Sequence, residues 1–425
     1  MDIQQLHDLF LAHPIVATDS RKITESCIFF ALKGANFNGN LYATEALKKG
    51  AAFAVIDEAD YRSMDGHILV DDVLTTLQQL ASYHRHYCNA KVISLTGSNG
   101  KTTTKELIYS VLSKKYRTIA TKGNLNNHIG VPLTLLSIQD NTEFAIIEMG
   151  ANHQKEIEFL CQIAQPDFGY ITNFGKAHLE GFGGIEGVIK GKSELYDYLL
   201  SNHKAIFVNA DDPIQSEKLG GYIKKIGFST NNIKYYRIDF EGADPFVQIQ
   251  FEGITVRSQL IGNYNFTNCA AAILMGKYFN VEIADIKTAI ESYVPENNRS
   301  QILEKNGHKI ILDAYNANPT SMKAALENFS IMAADSKIAL LGDMFELGDD
   351  APKEHQHIAD LASTLKFDSV FLIGKNFYGT RSSNSTFASF DDAKAYFKEH
   401  KLSKQSTLLI KGSRGMALER LLEVI

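Results

Sequence analysis

A short apolar segment that runs into a glycine-containing turn and then a helical segment constrains this chain most. KVISLTG begins at Lys91, and the turn Thr96-Gly97-Ser98-Asn99-Gly100-Lys101-Thr102-Thr103 overlaps its end. Glycines let backbone N–H groups converge on an anion, and the start of the following helix adds positive potential. The pattern predicts a phosphate-binding loop, in which Lys101 contacts the β- and γ-phosphates and the Thr102 hydroxyl binds Mg²⁺. The loop is a shorter variant than usual, because Leu95 stands where the first glycine is expected.

Apolar segments alternate with helical stretches after this loop. FAIIEMG, FGYITN and KAIFVNAD are almost continuously apolar, which is typical of strands buried on both faces. The alternation predicts a doubly wound parallel sheet. Residues 235–260 differ, since YYRIDF, FVQIQF and ITVRSQL are closely spaced alternating segments, and we expect an antiparallel flap there.

Similar patterns at both ends of the chain predict two more α/β units. CIFFAL, AAFAVID and HILVDD precede a helical stretch from Val73 to Cys88, and KIILDAY, KIALLGDM, SVFLIG and STLLIKGS precede a short helix from Met416. A length of 425 residues fits three domains of about 100–200 residues each. The predicted domains are a small α/β unit (1–86), a central P-loop ATPase-like parallel sheet with its flap (87–296) and a Rossmann-like α/β unit (297–425).

Composition excludes several other classes of protein. The 43 basic and 49 acidic residues leave no basic excess, so neither nucleic acid nor a membrane surface is expected as a partner. The four cysteines have neither metal-ligand nor redox spacing, which indicates buried thiols in a reducing compartment. No run of eighteen apolar residues and no signal-peptide pattern occur, so we expect a cytoplasmic protein.

A magnesium–nucleotide site needs oxygen ligands beyond the loop threonine. Glu148 ends the strand FAIIEMG, at the edge of a parallel sheet where ligands bind, and we expect it to hold the metal. His178 lies between glycines after the next strand and is a second candidate ligand. Lys192 lies on a predicted helix, and the residues alone predict only a solvated lysine there.

Five motifs together resemble the ATP-dependent Mur ligases. TGSNGKTTT, EMGANHQKEIEFL, ITNFGKAHLEGFGG, DAYNANP and KGSRGM occur in the family's order, and the resemblance covers essentially the whole chain. TDSRK near the start resembles the family's uridine-nucleotide-binding domain, and GNLNNHIGVPLTLL resembles a stretch near its peptide site. YNANP with LGDMFELG is most similar to the members that join D-alanyl-D-alanine to UDP-N-acetylmuramoyl-tripeptide.

The resemblance implies roles for individual residues, with ATP and two Mg²⁺ ions as cofactors. Lys192 matches a lysine that many members carry as a carbamate, whose negative charge would supply a metal ligand. Tyr264 stands where the family often has histidine. Catalytic positions are Lys101, His178 and Lys192, and metal positions are Thr102, Glu148, His178 and Lys192. Nucleotide positions lie in the phosphate loop and in later segments. They are Gly97, Ser98, Asn99, Gly100, Lys101, Thr102, Thr103, Asn265, Asn268, Arg299, Asp313, Tyr315 and Asn316. Substrate positions are Asp19, Ser20, Arg21, Asn126, Asn127, Asn318 and Lys411.

The implied activity is the last cytoplasmic step of peptidoglycan precursor synthesis, on which cell-wall growth, cell shape and division depend. The implied substrates are the muramyl tripeptide nucleotide and D-alanyl-D-alanine, bound by a monomer. Two alternatives stay open: a folylpolyglutamate synthase-like ligase, which shares the phosphate loop and the reaction type, and a nucleotide-binding scaffold without catalysis. The motifs leave open whether residue three of the peptide is diaminopimelate or lysine.

Overall fold

Three α/β domains follow one another along the chain, each built around a mainly parallel sheet, as predicted. The computed structural model describes residues 1–296, 298–403 and 405–425. The predicted boundary between the second and third domains falls at residue 297, which lies outside the described residues. Among the described residues, no helix has both the length and the apolar character needed to cross a bilayer.

The N-terminal domain has a four-stranded parallel sheet in the order β1-β2-β5-β6. Asp2 caps the first helix, and its side chain accepts a hydrogen bond from Gln5 N at 2.8 Å. A 3-10 turn over Gly39–Tyr42 leads directly into the helix over Ala43–Lys48. The elements are α1 (Ile3–Ala12), β1 (Val16–Ala17), β2 (Ile28–Phe30), β3 (Lys33–Gly34), β4 (Phe37–Asn38), α2 (Ala43–Lys48), β5 (Phe53–Ile56), β6 (His67–Leu69) and α3 (Val73–Tyr87).

The first part of the central domain carries the phosphate loop. Its sheet has seven parallel strands in the order β13-β12-β11-β10-β7-β9-β8, so the strand before the loop lies inside the sheet. Its elements up to the last long helix before the flap are β7 (Lys91–Thr96), α4 (Lys101–Leu112), β8 (Thr118–Ala120), α5 (Gly130–Leu135), β9 (Phe144–Glu148), α6 (Glu156–Ala164), β10 (Phe168–Ile171), α7 (Leu179–Phe182) and α8 (Ile185–Ser201).

The predicted flap is confirmed, with one correction. YYRIDF does not form a single flap strand: its first part, β13, extends the parallel sheet, and the chain then enters the antiparallel sheet β14-β15-β16. Ile238, fully buried between the two strands, anchors this change of sheet. The remaining elements are β11 (Ala205–Asn209), α9 (Pro213–Leu219), β12 (Lys225–Ser229), β13 (Tyr236–Arg237), β14 (Asp239–Ala243), β15 (Phe246–Phe251), β16 (Ile254–Ile261), α10 (Phe266–Tyr278) and α11 (Ile283–Ser292).

The C-terminal domain has six strands in the order β17-β18-β22-β19-β20-β21. All neighbours are parallel except β17 and β18, which form a hairpin. The helix expected from Met416 is instead a 3-10 turn over Leu418–Glu423, because Ala417 takes a left-handed φ of 48° that interrupts helical geometry. The elements are β17 (Gln301–Lys305), β18 (His308–Asp313), α12 (Pro319–Ile331), β19 (Lys337–Gly342), α13 (Ala351–Thr364), β20 (Ser369–Ile373), α14 (Lys375–Tyr378), β21 (Ser385–Phe387), α15 (Phe390–Glu399) and β22 (Thr407–Lys411).

The carboxyl edges of the central and C-terminal sheets face one cavity. The segments after β7, β9 and β10 line it from one side, and those after β18, β19 and β22 line it from the other. Ligands of open α/β sheets bind at this edge of the strands. The fold therefore assembles one site from two domains.

Candidate active site

The phosphate loop has the backbone that its glycines predict. Gly97 and Gly100 adopt φ values of 141° and 78°, in the left-handed region that glycine tolerates best. A Cβ atom on Gly97 would collide with the Thr172 hydroxyl, and one on Gly100 would lie 2.6 Å from Asn268 Oδ1. The loop thus passes too close to its neighbours to carry side chains at these two positions.

The Lys101 side chain folds back onto the phosphate loop and hydrogen-bonds to its backbone. Its Nζ atom donates to Gly97 O at 2.7 Å and to Ser98 O at 3.2 Å, and its side chain lines the cavity. Burial lowers the pKa of Lys101, and the charge of Arg299 adds to this effect, while Glu148 opposes it. An anion bound in the loop would take the place of these two carbonyl oxygens as the partner of the Lys101 ammonium group.

Glu148 presents a carboxylate oxygen that accepts no hydrogen bond from the described residues, although Lys105 Nζ lies 3.8 Å from it. Its Oε1 atom accepts from Asn126 Nδ2 at 2.8 Å, whereas the buried Oε2 atom has no hydrogen-bond partner among the described residues. Buried polar atoms are nearly always satisfied, so such an atom calls for an explanation. A bound Mg²⁺ ion would explain it, because Mg²⁺ takes oxygen ligands. The buried Thr102 hydroxyl, a second oxygen ligand, lines the same cavity. The residues present therefore fit a magnesium site.

His178 contacts a residue of the C-terminal domain. Its Nδ1 atom lies 2.5 Å from Glu346 Oε2, in a close contact that is not aligned as a hydrogen bond. This contact with His178 holds the pKa of Glu346 below its ordinary value, although partial burial acts in the other direction. Both residues line the cavity.

Lys192 is buried beneath the cavity rather than solvated, which corrects the expectation from its residue pattern alone. Its exposed fraction is 0%, and it does not line the cavity surface. The Nζ atom donates to Ala151 O at 3.0 Å and lies 4.9 Å from the centroid of the Phe182 ring. Burial lowers the pKa of Lys192 well below its ordinary value, and the charge of Lys101 lowers it further. The amine is therefore held towards its neutral form.

Asn265 and Asn268 connect the phosphate loop's helix to α10. Asn268 Nδ2 donates to Asn265 Oδ1 at 2.7 Å, and Asn268 Oδ1 accepts from Thr104 Oγ1 at 3.0 Å. Both asparagines are buried and line the cavity beside Tyr264. The Tyr264 hydroxyl lies 3.1 Å from Ser300 Oγ, so the tyrosine makes a contact between the central and C-terminal domains.

The C-terminal domain contributes charged groups to the opposite wall. The Arg299 guanidinium stacks 3.7 Å from the centroid of the Tyr315 ring. Lys411 is buried, and its Nζ atom lies 2.5 Å from Asp313 Oδ2. Together they form a wall that combines an aromatic face, two cations and a carboxylate.

Asn318 connects the two walls directly. Its Nδ2 atom donates to Asn99 Oδ1 of the phosphate loop at 2.7 Å, while its Oδ1 atom caps α12 by accepting from Ser321 N at 2.9 Å. Ser98 fixes the loop from the other side, because its Oγ atom donates to Gly175 O at 2.8 Å. The first turn of α12 is thereby held against the phosphate loop.

The cavity has a volume of about 1040 Å³ and collects most of the predicted site residues. Gly97 and Lys192 do not line it, and neither do Asp19, Ser20 and Arg21 of the N-terminal domain. Arg21 pairs with Asp19 at 2.9 Å on the surface. Those that line it are Ser98, Asn99, Gly100, Lys101, Thr102, Thr103, Asn126, Asn127, Glu148, His178, Asn265, Asn268, Arg299, Asp313, Tyr315, Asn316, Asn318 and Lys411.

Asn126 and Asn127, predicted to lie near a substrate, and Asn316, predicted to contact the nucleotide, also make local hydrogen bonds within the protein. Asn126 orients Glu148, as described above, and Asn127 Oδ1 accepts from Gly130 N at 2.9 Å at the start of α5. Asn316 Oδ1 accepts from Ala317 N at 2.9 Å and shapes its own turn. A shared cavity with the phosphate loop is thus compatible with local roles for these side chains.

Sequence reasoning missed Lys105 and Glu346. Lys105 is 2% exposed, donates to Thr121 O at 2.7 Å and lies 3.8 Å from Glu148 Oε2. A lysine one turn into a helix looks solvated in sequence, and nothing local reveals that β8 covers it. Glu346 belongs to the motif LGDMFELG, but the motif gives no indication that it meets His178.

Family models match three stretches of this chain. They are described as "Mur ligase family, catalytic domain" over residues 14–85, "Mur ligase middle domain" over 95–276 and "Mur ligase, glutamate ligase domain" over 298–414. The UDP-N-acetylmuramoyl-tripeptide--D-alanyl-D-alanine ligase of Bacillus subtilis is 36% identical, over 96% of this chain and 92% of its own. This chain belongs to the Mur ligase family. It is therefore an ATP-dependent ligase that forms amide bonds.

Other Mur ligases agree with this result. The Escherichia coli enzyme of the same name is 32% identical, over 96% of this chain and 93% of its own. A crystal structure of MurF ligase from Thermotoga maritima in complex with ADP has a TM-score of 0.85 at 28% identity and covers 98% of this chain and 97% of that one. A crystal structure of MurF from Acinetobacter baumannii has a TM-score of 0.82 at 31% identity, over 96% and 92%. The family resemblance and the three-domain fold are both confirmed.

Proposed function

We propose that this enzyme joins D-alanyl-D-alanine to UDP-N-acetylmuramoyl-tripeptide and converts ATP to ADP and phosphate. One observation carries the proposal. The phosphate loop, Glu148 and His178 of the central domain line the same cavity as Arg299 and Asp313 of the C-terminal domain, in a chain that matches ligases of this name over nearly its whole length. The cavity can therefore hold a nucleotide and the acid end of a peptide together.

The chemistry activates a carboxylate, because the oxygen of a free carboxylate is a poor leaving group. The terminal carboxylate of the tripeptide attacks the γ-phosphorus of ATP, the bond to the β-phosphate oxygen breaks, and ADP leaves. The amine of D-alanyl-D-alanine attacks the carbonyl carbon of the acyl phosphate to give a tetrahedral intermediate. Phosphate then leaves with the electrons of the C–O bond, and the amine proton passes to solvent or a base. No covalent enzyme intermediate is required.

Within this reaction, the protein positions and stabilises charge. Lys101, already seated in the loop, faces the transferred phosphoryl group, and its ammonium stabilises the charge that develops there. Thr102, Glu148 and His178 would hold magnesium, which supplies Lewis-acid stabilisation of phosphoryl oxygens when bound. A second ion and a carbamate on Lys192 belong to the proposal, since a carbamate would turn a buried amine into an anionic oxygen ligand.

The two substrates approach from different domains. Asp19, Ser20 and Arg21 of the N-terminal domain take the uridine nucleotide, and Asn126 and Asn127 lie along the path of the peptide. The nucleotide base and ribose lie against Asn265, Asn268, Arg299, Asp313, Tyr315 and Asn316, and Asn318 and Lys411 face the acyl group. We assign domain limits of 1–86, 87–296 and 297–425, and we expect a cytoplasmic monomer without nucleic-acid or membrane partners.

Mass spectrometry of the products tests the proposed function. The enzyme is incubated with ATP, D-alanyl-D-alanine and the muramyl tripeptide nucleotide that carries either lysine or diaminopimelate. We expect the pentapeptide nucleotide and one ADP for each amide bond formed. A parallel reaction with folate and glutamate is the control for the folylpolyglutamate synthase-like alternative. Product in that reaction alone, or ADP formation that does not depend on the amine, would refute the proposal.

A further inference from the structure

The loop that carries His178 is held by the C-terminal domain. This His178 loop comprises residues 172–178 and follows β10. Its Lys176 N donates to Thr320 Oγ1 at 2.9 Å, and Lys176 Nζ lies 2.6 Å from the buried Glu354 carboxylate. Just after the loop, Glu180 N donates to Glu346 O at 3.2 Å. Three contacts from another domain, two of them through the backbone, therefore hold the residues on both sides of His178.

His178 and Glu346 share a second property besides their contact. Both have positive φ values, 55° for His178 and 62° for Glu346, although neither is glycine. Such conformations are uncommon for residues with a side chain, and they persist only where the surroundings impose them. The backbone is thus set on both sides so that the imidazole and the carboxylate meet.

The position of Glu346 is fixed by the interior of the C-terminal domain. His355 Nε2 accepts from Met344 N at 2.9 Å, and Ser413 Oγ accepts from Phe345 N at 2.9 Å. Gly348 packs against Glu180, since a Cβ atom there would lie 3.3 Å from Glu180 Cβ. The carboxylate therefore moves with the C-terminal domain, not with the loop that it contacts.

We propose that Glu346 is a positioning residue that orients the His178 imidazole across the domain interface. The carboxylate oxygen lies 2.5 Å from Nδ1, and its charge favours the tautomer with the proton on that nitrogen. Nε2 is then left as the ring nitrogen that a ligand in the cavity can reach. Histidine ligands of metals are commonly oriented by a carboxylate on their second nitrogen. The metal part of this inference rests on the proposed function.

The consequence is that His178 is ready to act only while the two domains are together. Separation of the C-terminal domain removes Glu346, Thr320 and Glu354 from the loop in one step. The His178 imidazole then loses its contact with Glu346, and the His178 loop loses its contacts with Thr320 and Glu354. Domain closure thereby assembles a catalytic group as well as excluding water.

Nitrogen NMR of the metal-free enzyme, saturated with an ATP analogue so that the two domains are closed, tests the orientation without reference to activity. Protein labelled with ¹⁵N-histidine is compared with Glu346→Ala, Glu346→Gln and, as a matched control, Asp349→Ala, which removes an exposed carboxylate three residues away. His178 signals are assigned with His178→Gln. We expect Glu346→Ala to shift His178 towards the Nε2–H tautomer, Glu346→Gln to restore it in part, and Asp349→Ala to leave it unchanged. Unchanged His178 signals in Glu346→Ala overturn the proposal.

Binding of Mn²⁺ in the presence of ADP tests the link to the metal. We expect Glu346→Ala to weaken Mn²⁺ binding by about 10-fold, the order seen for removal of a partner that orients a ligand, and Asp349→Ala to change it much less. Equal Mn²⁺ affinity in Glu346→Ala and the native enzyme overturns the proposal. If the native enzyme makes no pentapeptide nucleotide, the proposed function fails, while the NMR result still decides whether Glu346 orients His178.

Discussion

The Nζ atom of Lys192 donates a 3.0 Å hydrogen bond to the carbonyl oxygen of Ala151 from a side chain with no exposed surface. A charged ammonium is costly in such a place, and burial accordingly lowers the pKa of this lysine. The neutral amine is the form that reacts with CO₂. The surroundings of Lys192 thus favour the chemistry that a carbamate requires.

Lys192→Ala should lose most of its activity, by about 100-fold, because it removes one electrostatic stabiliser of the transferred group. Short carboxylates such as acetate should restore part of the loss, since they can place an oxygen ligand in the vacated volume. Rates of ADP release with and without acetate provide the measurement. Lys190→Ala is the matched control, because Lys190 is exposed on the same helix. Full activity of Lys192→Ala without added carboxylate would exclude the carbamate.

Lys101→Ala should abolish turnover while leaving the fold intact. The ammonium is the loop's own positive charge, and loss of a group that stabilises developing charge costs about 100-fold or more in kcat. Steady-state ADP release measures the loss, and circular dichroism with thermal unfolding verifies the fold. A variant that keeps substantial kcat would show that Lys101 does not act on the phosphoryl group.

The parallel strands were predictable because burial on both faces leaves a continuous apolar run. KVISLT and FAIIE each appear in the structure at the position that their composition indicates, as β7 and β9. The hairpin strand β17 is not predicted by the sequence, since QILEK has only two apolar residues, which are adjacent, followed by two charged ones. Its turn did carry a signal: Asn306-Gly307, with φ values of 51° and 84°, is the preferred pair of a tight hairpin.

Residues of the candidate site differ in how visible they are in sequence. Lys101 and Thr102 follow from local spacing, because the loop and its ligands are contiguous. The contact of Glu346 with His178 joins residues 168 positions apart, on different domains, and depends on how the domains are oriented. Lys105 is hidden by packing against Thr121. Pairings made by tertiary structure leave no periodic trace in a single sequence.

Domain closure should be measurable in solution. Asn99 and Asn318 meet at 2.7 Å across the interface, and Lys176 and Glu354 meet at 2.6 Å, so the contacts of a closed form are defined. We expect an open form without ligands and a smaller radius of gyration with an ATP analogue and the muramyl tripeptide nucleotide. Small-angle X-ray scattering checks this. Glu354→Ala should need more ligand to close, and identical scattering with and without ligands would contradict the prediction.

A buried histidine pair of the N-terminal domain, which contacts the central domain through Ile138, should make stability depend on pH. His84 Nε2 lies 2.9 Å from Ile138 O, so it carries the proton, and His84 Nδ1 therefore accepts from His7 Nε2 at 3.0 Å. Burial lowers the pKa of both histidines, and His84 lowers that of His7 further, while Asp8 acts against the shift at His7 and Asp140 against that at His84. Protonation of His84 would place two N–H groups face to face.

The sign of the effect follows from proton uptake. In the unfolded chain both histidines titrate near pH 6.5, so below that pH the unfolded state binds more protons than the folded state. Stability should therefore be constant above about pH 6.5 and fall below it, by at most about 1.4 kcal/mol per pH unit for each group. Differential scanning calorimetry between pH 7.5 and 5.5 measures this fall. His7→Phe should flatten it, because His84 can then be protonated without an opposing N–H, whereas the exposed control His86→Gln should not. Equal pH dependence in His7→Phe and the native chain would refute the assignment.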